Sequence, residues 1–371
     1  MDSEAEFIYI KEVIKSRRQV QIIGDSVFFS YSAISEFASF KEVYIWDLDK
    51  TYLDTHWQSL SDIFKVSFTD NFHQNNVPGT STLVSALKDN WHKKNGEGLF
   101  PIFFITASPP QMEKKIREKL ERDDILPLGI FFKDNLKNLW PGNFWKLRQH
   151  VGYKVNSLVY LRTLLNENVS QVLWGDDSET DAVIYSLYSD LCSRRLSGDE
   201  AERILRHFQV TNEQWIRIQN ALTQIATRDP VQKIYINLAV DTDPDYYLKF
   251  GRRMIPSYNA LQIALDLYQD DRFSIEHVLQ VGNDLLLRYA YSIDELQRSF
   301  DELIRRQVLN DQSYNILKPL LMQNGLLHSD YVPSIAPIKN KEGAAIEDQG
   351  EAAGNYEPWV PERIDYLHDY R

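Results

Sequence analysis

Three short apolar runs each break off abruptly into polar residues with chemical uses, and this pattern constrains the fold more than any other feature. Val43-Tyr-Ile-Trp46 runs into Asp47-Leu-Asp49-Lys-Thr51. The run from Pro101 to Ile105 ends in Thr106-Ala-Ser108, and the run from Gln171 to Trp174 ends in Gly175-Asp176-Asp177-Ser-Glu-Thr-Asp181. Buried strands of a parallel sheet read as continuous apolar segments, and in open α/β sheets ligands bind beyond the carboxyl ends of such strands. Further runs at Val20 to Ser30 and Leu128 to Phe132 complete an expected five-strand sheet. Helices are predicted over Thr80 to Lys94, Pro110 to Arg122 and Val155 to Glu167, the last with Leu158, Leu161, Leu164 and Leu165 on one side. The fold expected for residues 1–196 is therefore α/β, a doubly wound parallel sheet with an N-terminal extension.

After about Ser197 the texture turns helical. Asn212 to Thr227 places Trp215, Ile218, Leu222 and Ile225 on one face, and Pro256 to Tyr268 and Ser274 to Tyr289 repeat that period. Ser292 and Glu295 stand at capping-box spacing ahead of a helix through Val308, and Asp-Pro pairs at Asp229 and Asp243 mark breaks. An α-helical domain is expected over residues 197–330. An acidic, aperiodic, mobile tail is expected over 331–371, with Tyr356, Trp359 and Tyr366 as residues for docking.

The chemistry starts from Asp47 and Asp49. Two carboxylates separated by one residue at a curling strand end can serve one site, one as a nucleophile toward phosphorus and the other as general acid and base. Thr106 and Ser108 offer hydroxyl donors to a phosphoryl oxygen, and Lys154, read as opening a helix, offers a positive charge. The Asp176, Asp177 and Asp181 cluster provides oxygen ligands of the kind Mg2+ accepts. A strand followed by an Asp-rich turn is a common purely structural alternative for the first of these elements, and the other three weigh against it.

In order and combination these elements resemble the haloacid dehalogenase superfamily, whose members mostly hydrolyse phosphate esters, over about residues 41–190. The resemblance implies Asp47 as nucleophile, Asp49 as acid and base, and Thr106 and Lys154 as phosphate-binding residues. It also implies Mg2+ held by Asp47, the backbone carbonyl of Asp49, and either Asp176 or Asp177, with Asp181 and Thr51 in support. A closer resemblance is to the phosphatidate phosphatase catalytic domain of actin-patch-associated fungal proteins and bacterial relatives. It rests on Thr106-Ala-Ser-Pro-Pro, the Leu-Pro-Leu-Gly-Ile-Phe-Phe strand, Lys154 and Gly175-Asp-Asp-Ser-Glu-Thr-Asp-Ala-Val-Ile-Tyr185. The chain departs from that family's serine-rich second motif, and it has Asp177, Ser178 and Ala182 where the family favours Ser, Gly and Pro.

Composition supplies the exclusions. With 41 Lys+Arg against 53 Asp+Glu the net charge is -12, which gives no global field for holding a nucleic acid. One cysteine, Cys192, makes neither an internal disulfide nor a thiolate cluster, and the 8 histidines show no zinc spacing. An acidic opening segment and the absence of a run near the roughly 18 apolar residues of a membrane span lead to a soluble, cytoplasmic expectation. The segments between motifs leave little length for a cap, so an open site suited to a large or lipid-type substrate is expected, unless the helical domain acts as a lid. The alternatives are phosphotransfer to an acceptor other than water, or a non-catalytic module whose helical domain or tail binds a protein partner. Four smaller features have ordinary readings. Gly24-Asp25-Ser26 is a hairpin turn, Trp140 to Trp145 an aromatic cover of the sheet with a grip on lipid or a partner as the alternative, Lys50 a solvated loop lysine with contact to the substrate as the alternative, and Arg252-Arg253 either an anion-binding pair or a helix-end basic pair on an exposed loop. The histidines are read as solvated or satisfied, with substrate contact as the alternative for His56 alone, which follows close behind the first motif.

Overall fold

A computed structural model describes residues 18–55, 75–134, 149–178, 180–334 and 358–368. His56, Tyr356 and the Trp140 to Trp145 cluster lie outside them. The chain divides into two compact units, one of residues 1–75, 98–236 and 362–371, the other of 76–97 and 237–361. The architecture is α/β.

In the first unit β1 (Gln19–Ile23) and β2 (Ser26–Ser30) form an antiparallel hairpin, so the run read as one strand is two. The two-residue loop Gly24-Asp25 joins them, and Gly24 takes the φ of +67° that such a tight hairpin favours. A single helical turn, α1 (Ile34–Phe37), leads to β3 (Glu42–Asp47). The helix expected next does form, as α2 (Thr80–Asn95), but it belongs to the second unit rather than to the sheet domain. β4 (Ile102–Thr106), a 3-10 turn at Pro110–Met112, α3 (Glu113–Arg122) and β5 (Gly129–Lys133) follow. Then come α4 (Gln149–Leu164), β6 (Ser170–Asp176), α5 (Asp181–Ser193), α6 (Gly198–His207), α7 (Asn212–Leu222) and β7 (Val231–Asn237).

The strand order is β1-β2-β5-β4-β3-β6-β7, with β5-β4-β3-β6 mutually parallel and the β1-β2 hairpin antiparallel against β5. β4 and β5 are buried throughout, and so are β3 and β6 apart from their first residues, as strands covered on both faces must be. Trp46 stacks on its cross-strand partner Trp174 with centroids 4.5 Å apart, and Trp174 stacks on Tyr235 of β7 at 5.0 Å. At the outer edge, β1 keeps the alternation of a half-covered strand. Gln21 accepts from Tyr160 of α4 while Val20 and Ile22 stay exposed. Cys192 is fully buried in α5, and burial pushes its thiol up to about 12, which makes it an inert core residue.

The boundary drawn after residue 196 differs from this division. α6, α7 and β7 stay with the sheet, and Val231-Gln-Lys-Ile-Tyr-Ile-Asn is a strand inside the stretch read as helical. Helical periodicity on both sides of Asp229-Pro230 hid its length of 7 residues.

The second unit is helical apart from β8 (Met254–Ser257), where the Pro256 helix was expected to start, and Ser257 O accepts from Leu238 N at 2.9 Å. α2 packs on α8 (Ala260–Gln269) and α9 (Ile275–Arg288), followed by α10 (Ile293–Arg305) and α11 (Asp311–Gln323). Val278, Val281 and Leu285, and then Leu296, Phe300 and Leu303, form the buried stripes that the sequence period demands. Polar ties complete the packing of α2 on α9, with Thr82 donating to Asp284 at 2.8 Å and His277 Nε2 against Asp89 Oδ2 at 2.8 Å. The Ser292 capping box forms, with Glu295 N donating to Ser292 Oγ at 3.2 Å.

The basic pair is structural. Arg253 is buried, and Arg252 donates to the carbonyls of Arg306 (3.0 Å) and Gln307 (2.6 Å) just past the end of α10. Of the tail expected over 331–371, residues 331–334 and 358–368 lie among the described residues. Pro358 and Trp359 carbonyls accept from Arg252 N and Arg253 N in the second unit. In the first unit Ile364 and Tyr366 are buried, Tyr366 donates to Asp190 of α5, and Arg363 pairs with Glu200 at 2.7 Å. Among the described residues no helix is long and apolar enough to cross a membrane.

Candidate active site

Parallel register sets the site. Trp46 pairs with Trp174 and Asp47 with Ile105, so β3, β4 and β6 end side by side and deliver Asp47, Thr106 and Asp176 to one sheet margin. Beyond Asp47 the chain curls, because Tyr52 N and Leu53 N both donate to Leu48 O and Lys50 N donates to Leu53 O at 2.7 Å. The curl keeps Asp49 at the site although strand alternation would turn it along with Asp47 only in a straight chain.

Lys154 is the hub. Its ammonium is fully buried between Asp47 Oδ1 at 2.7 Å and Asp181 Oδ1 at 2.6 Å, and both carboxylates are fully buried as well. The lysine sits in the second turn of α4 rather than opening it, since that helix begins at Gln149. Gly152 near its start weakened the sequence signal there, and Val151 and Tyr153 are core residues. Tyr153 fixes α4 against β4 by donating to Thr106 O at 2.8 Å. Burial first, with the neighbouring Asp25 carboxylate, holds the Tyr153 phenol well above its usual range, so it stays a neutral donor.

Asp181 begins α5, where a carboxylate complements the helix dipole. Its Oδ2 accepts from Asp176 N at 3.2 Å, so one side chain ties the end of β6 to the lysine. A Cβ on Gly175 would lie 2.5 Å from both Cβ and Oδ2 of Asp181, so only glycine lets α5 close this tightly on β6. Tyr185, one turn on, donates to Trp174 O at 2.7 Å; burial, reinforced by the Asp181 carboxylate, raises its phenol well above the usual value.

The remaining expected residues take defined places. Thr51 donates to Asp47 Oδ2 at 3.2 Å. Thr106 Oγ1 donates to Asp49 Oδ2 at 2.6 Å while accepting from Ser108 N at 3.0 Å, so the threonine hydroxyl orients the second carboxylate. Ser108 is buried. Asp176 is buried and its Oδ1 accepts from Ser178 N at 2.6 Å, whereas Asp177 is half-buried. Asp47, Asp176 and Asp181 bring one carboxylate oxygen each within 4.8 Å of the others, a group that does not include Asp177. Sequence reasoning missed the two buried tyrosines, which have no spacing signature, and the contact between Lys50 Nζ and Ser178 Oγ at 3.1 Å.

The donor set suits a hard divalent cation. Three buried carboxylates lie together and two of them share one ammonium, and buried carboxylate charge in excess of its counter-charge is costly unless a cation offsets it. A buried carboxylate paired with a lysine, a second carboxylate oriented by a hydroxyl and further carboxylate oxygens close by are the kinds of group that phosphoryl transfer uses.

The family model for the phosphatidate phosphatase APP1 catalytic domain matches residues 43–195, a span that holds every residue of this site. The match points to a phosphatase of phosphatidate phosphatase type. No curated protein and no solved structure matches the chain.

Proposed function

We propose that the chain is a Mg2+-dependent phosphatase of haloacid dehalogenase type, with a doubly wound core, that hydrolyses a phosphate monoester through a phosphoaspartate on Asp47. The observation that carries this reading is Asp47 itself, a buried carboxylate held by Lys154 on one oxygen and Thr51 on the other, two residues before an oriented Asp49. The family match supports a lipid-type, phosphatidate-like substrate.

In this reading Asp47 attacks phosphorus, and its new O–P bond forms as the ester P–O bond breaks. Asp49, steadied at Oδ2 by Thr106, holds a proton on Oδ1 and gives it to the departing alkoxide. It then takes a proton from the water that attacks the phosphoaspartate, which releases phosphate and restores the Asp47 carboxylate. Lys154 holds Asp47 in place, and Asp181 holds Lys154. Mg2+ would be held by Asp47, Asp176 and the carbonyl of Asp49. When bound it supplies positive charge against the phosphoryl oxygens.

The test is phosphate release from dioleoyl phosphatidate in detergent micelles. Turnover is expected with MgCl2, a drop of at least about a hundredfold in EDTA, and recovery on adding Mg2+ back. Full turnover in EDTA would remove the metal from the reading.

A further inference from the structure

Lys50 stands in a backbone conformation that its residue type disfavours. Its φ is +58°, the left-handed region where glycine is at ease and a side chain with a Cβ is strained. The residue is exposed, between the buried Asp49 and Thr51, and its ammonium reaches the hydroxyl of Ser178 at 3.1 Å. Ser178 in turn donates its backbone N–H to Asp176 Oδ1 at 2.6 Å. A tether thus runs from an exposed cation on the loop after β3 to a buried carboxylate at the end of β6.

Two features indicate what that cation is for. Its described side-chain partner is a neutral hydroxyl, and a neutral partner gives a weaker hydrogen bond than an anionic oxygen would. Behind it lie Asp47, Asp176 and Asp181, all buried, whose carboxylates repel an approaching phosphate dianion, while Lys154 is sealed between two of them. The chain as a whole is acidic at -12, so its overall charge does not draw such a dianion in.

We propose that Lys50 is a substrate-binding residue: a landing cation that exchanges the Ser178 hydroxyl for a non-bridging oxygen of the incoming phosphate. This deepens the phosphatase reading and rests on it for the identity of the site. The role sets affinity and rate of capture and leaves the chemical step to the buried residues. Glycine at this position would relieve the backbone and remove the charge together, which separates binding from structure.

The experiment compares the native chain with Lys50→Gly and Lys50→Arg, using p-nitrophenyl phosphate turnover in Mg2+ and, separately, calorimetric binding of inorganic phosphate. Lys50→Gly is expected to raise KM by about fivefold to tenfold with kcat within about twofold, and to flatten the salt dependence of kcat/KM. Its unfolding midpoint is expected at or above that of the native chain, and Lys50→Arg is expected to restore most of the KM. Phosphate binding is expected to weaken by a similar factor. An unchanged KM and unchanged phosphate affinity in Lys50→Gly would overturn the proposal, as would a native chain that binds no phosphate at millimolar concentration. A native chain that binds phosphate through Lys50 but turns over no ester would uphold the landing cation and overturn the phosphatase reading.

Discussion

Asp47→Asn is expected to lower Mg2+-supported phosphate release by at least about a thousandfold, because a carboxamide does not form an acyl phosphate. The fold is expected to survive. Lys154 keeps Asp181 at 2.6 Å when the Asp47 charge is gone, and the carboxamide has its oxygen to accept from Lys154 and its nitrogen to donate to the Thr51 hydroxyl. The near-isosteric change leaves no cavity, so the unfolding midpoint should move by no more than a few degrees. Parallel activity and thermal-unfolding measurements check both halves. Native-level turnover in this variant would exclude Asp47 as the nucleophile.

Lys154→Met should have the largest effect on stability. The lysine is fully buried with a carboxylate on each side, at 2.7 and 2.6 Å, and its loss leaves Asp47 and Asp181 as like charges in a dry site. Breaking a buried ion pair by removing one partner costs about 3–5 kcal/mol. Denaturant unfolding in EDTA isolates this effect from any cation that would take over the lysine's charge. Adding Asp181→Asn to Lys154→Met should return part of the loss, with a coupling above about 1 kcal/mol, since it removes one of the stranded charges. Strict additivity of the two substitutions would mean that the pair is not coupled.

Much of the site can be read from the chain because its residues stand at strand ends. Strand and motif coincide at Asp47, Thr106 and Asp176, and parallel register then leaves little choice about their meeting. Lys154 was legible as a residue but not as a helix position, since Gly152, between the core residues Val151 and Tyr153, weakens the helical signal just before it. The choice between Asp176 and Asp177 was open in sequence, because adjacent aspartates have the same chemistry. In the fold Asp176 is buried and grouped with Asp47 and Asp181, whereas Asp177 is half-buried.

The second half of the chain was harder to read for the same physical reason in two places. β7 and β8, at 7 and 4 residues, lie between long amphipathic helices, and short apolar runs do not declare a period. The grouping of α2 with the helices after β8 is a long-range fact, carried by pairs such as Thr82 with Asp284, that no local pattern contains. Contacts such as Tyr366 donating to Asp190 join residues far apart in the chain, and no local composition or period announces them.

A covalent phosphate on Asp47 is the intermediate that the phosphatase reading requires, and it can be captured. The native chain and Asp47→Asn are mixed with [32P]phosphate-labelled phosphatidate and Mg2+, quenched in acid within milliseconds, and the protein is digested and mapped. Label on the peptide containing Asp47 that hydroxylamine removes, and that is absent from Asp47→Asn, is the predicted result. Turnover by the native chain with no label on that peptide at any quench time, or equal label in the variant, would contradict the account.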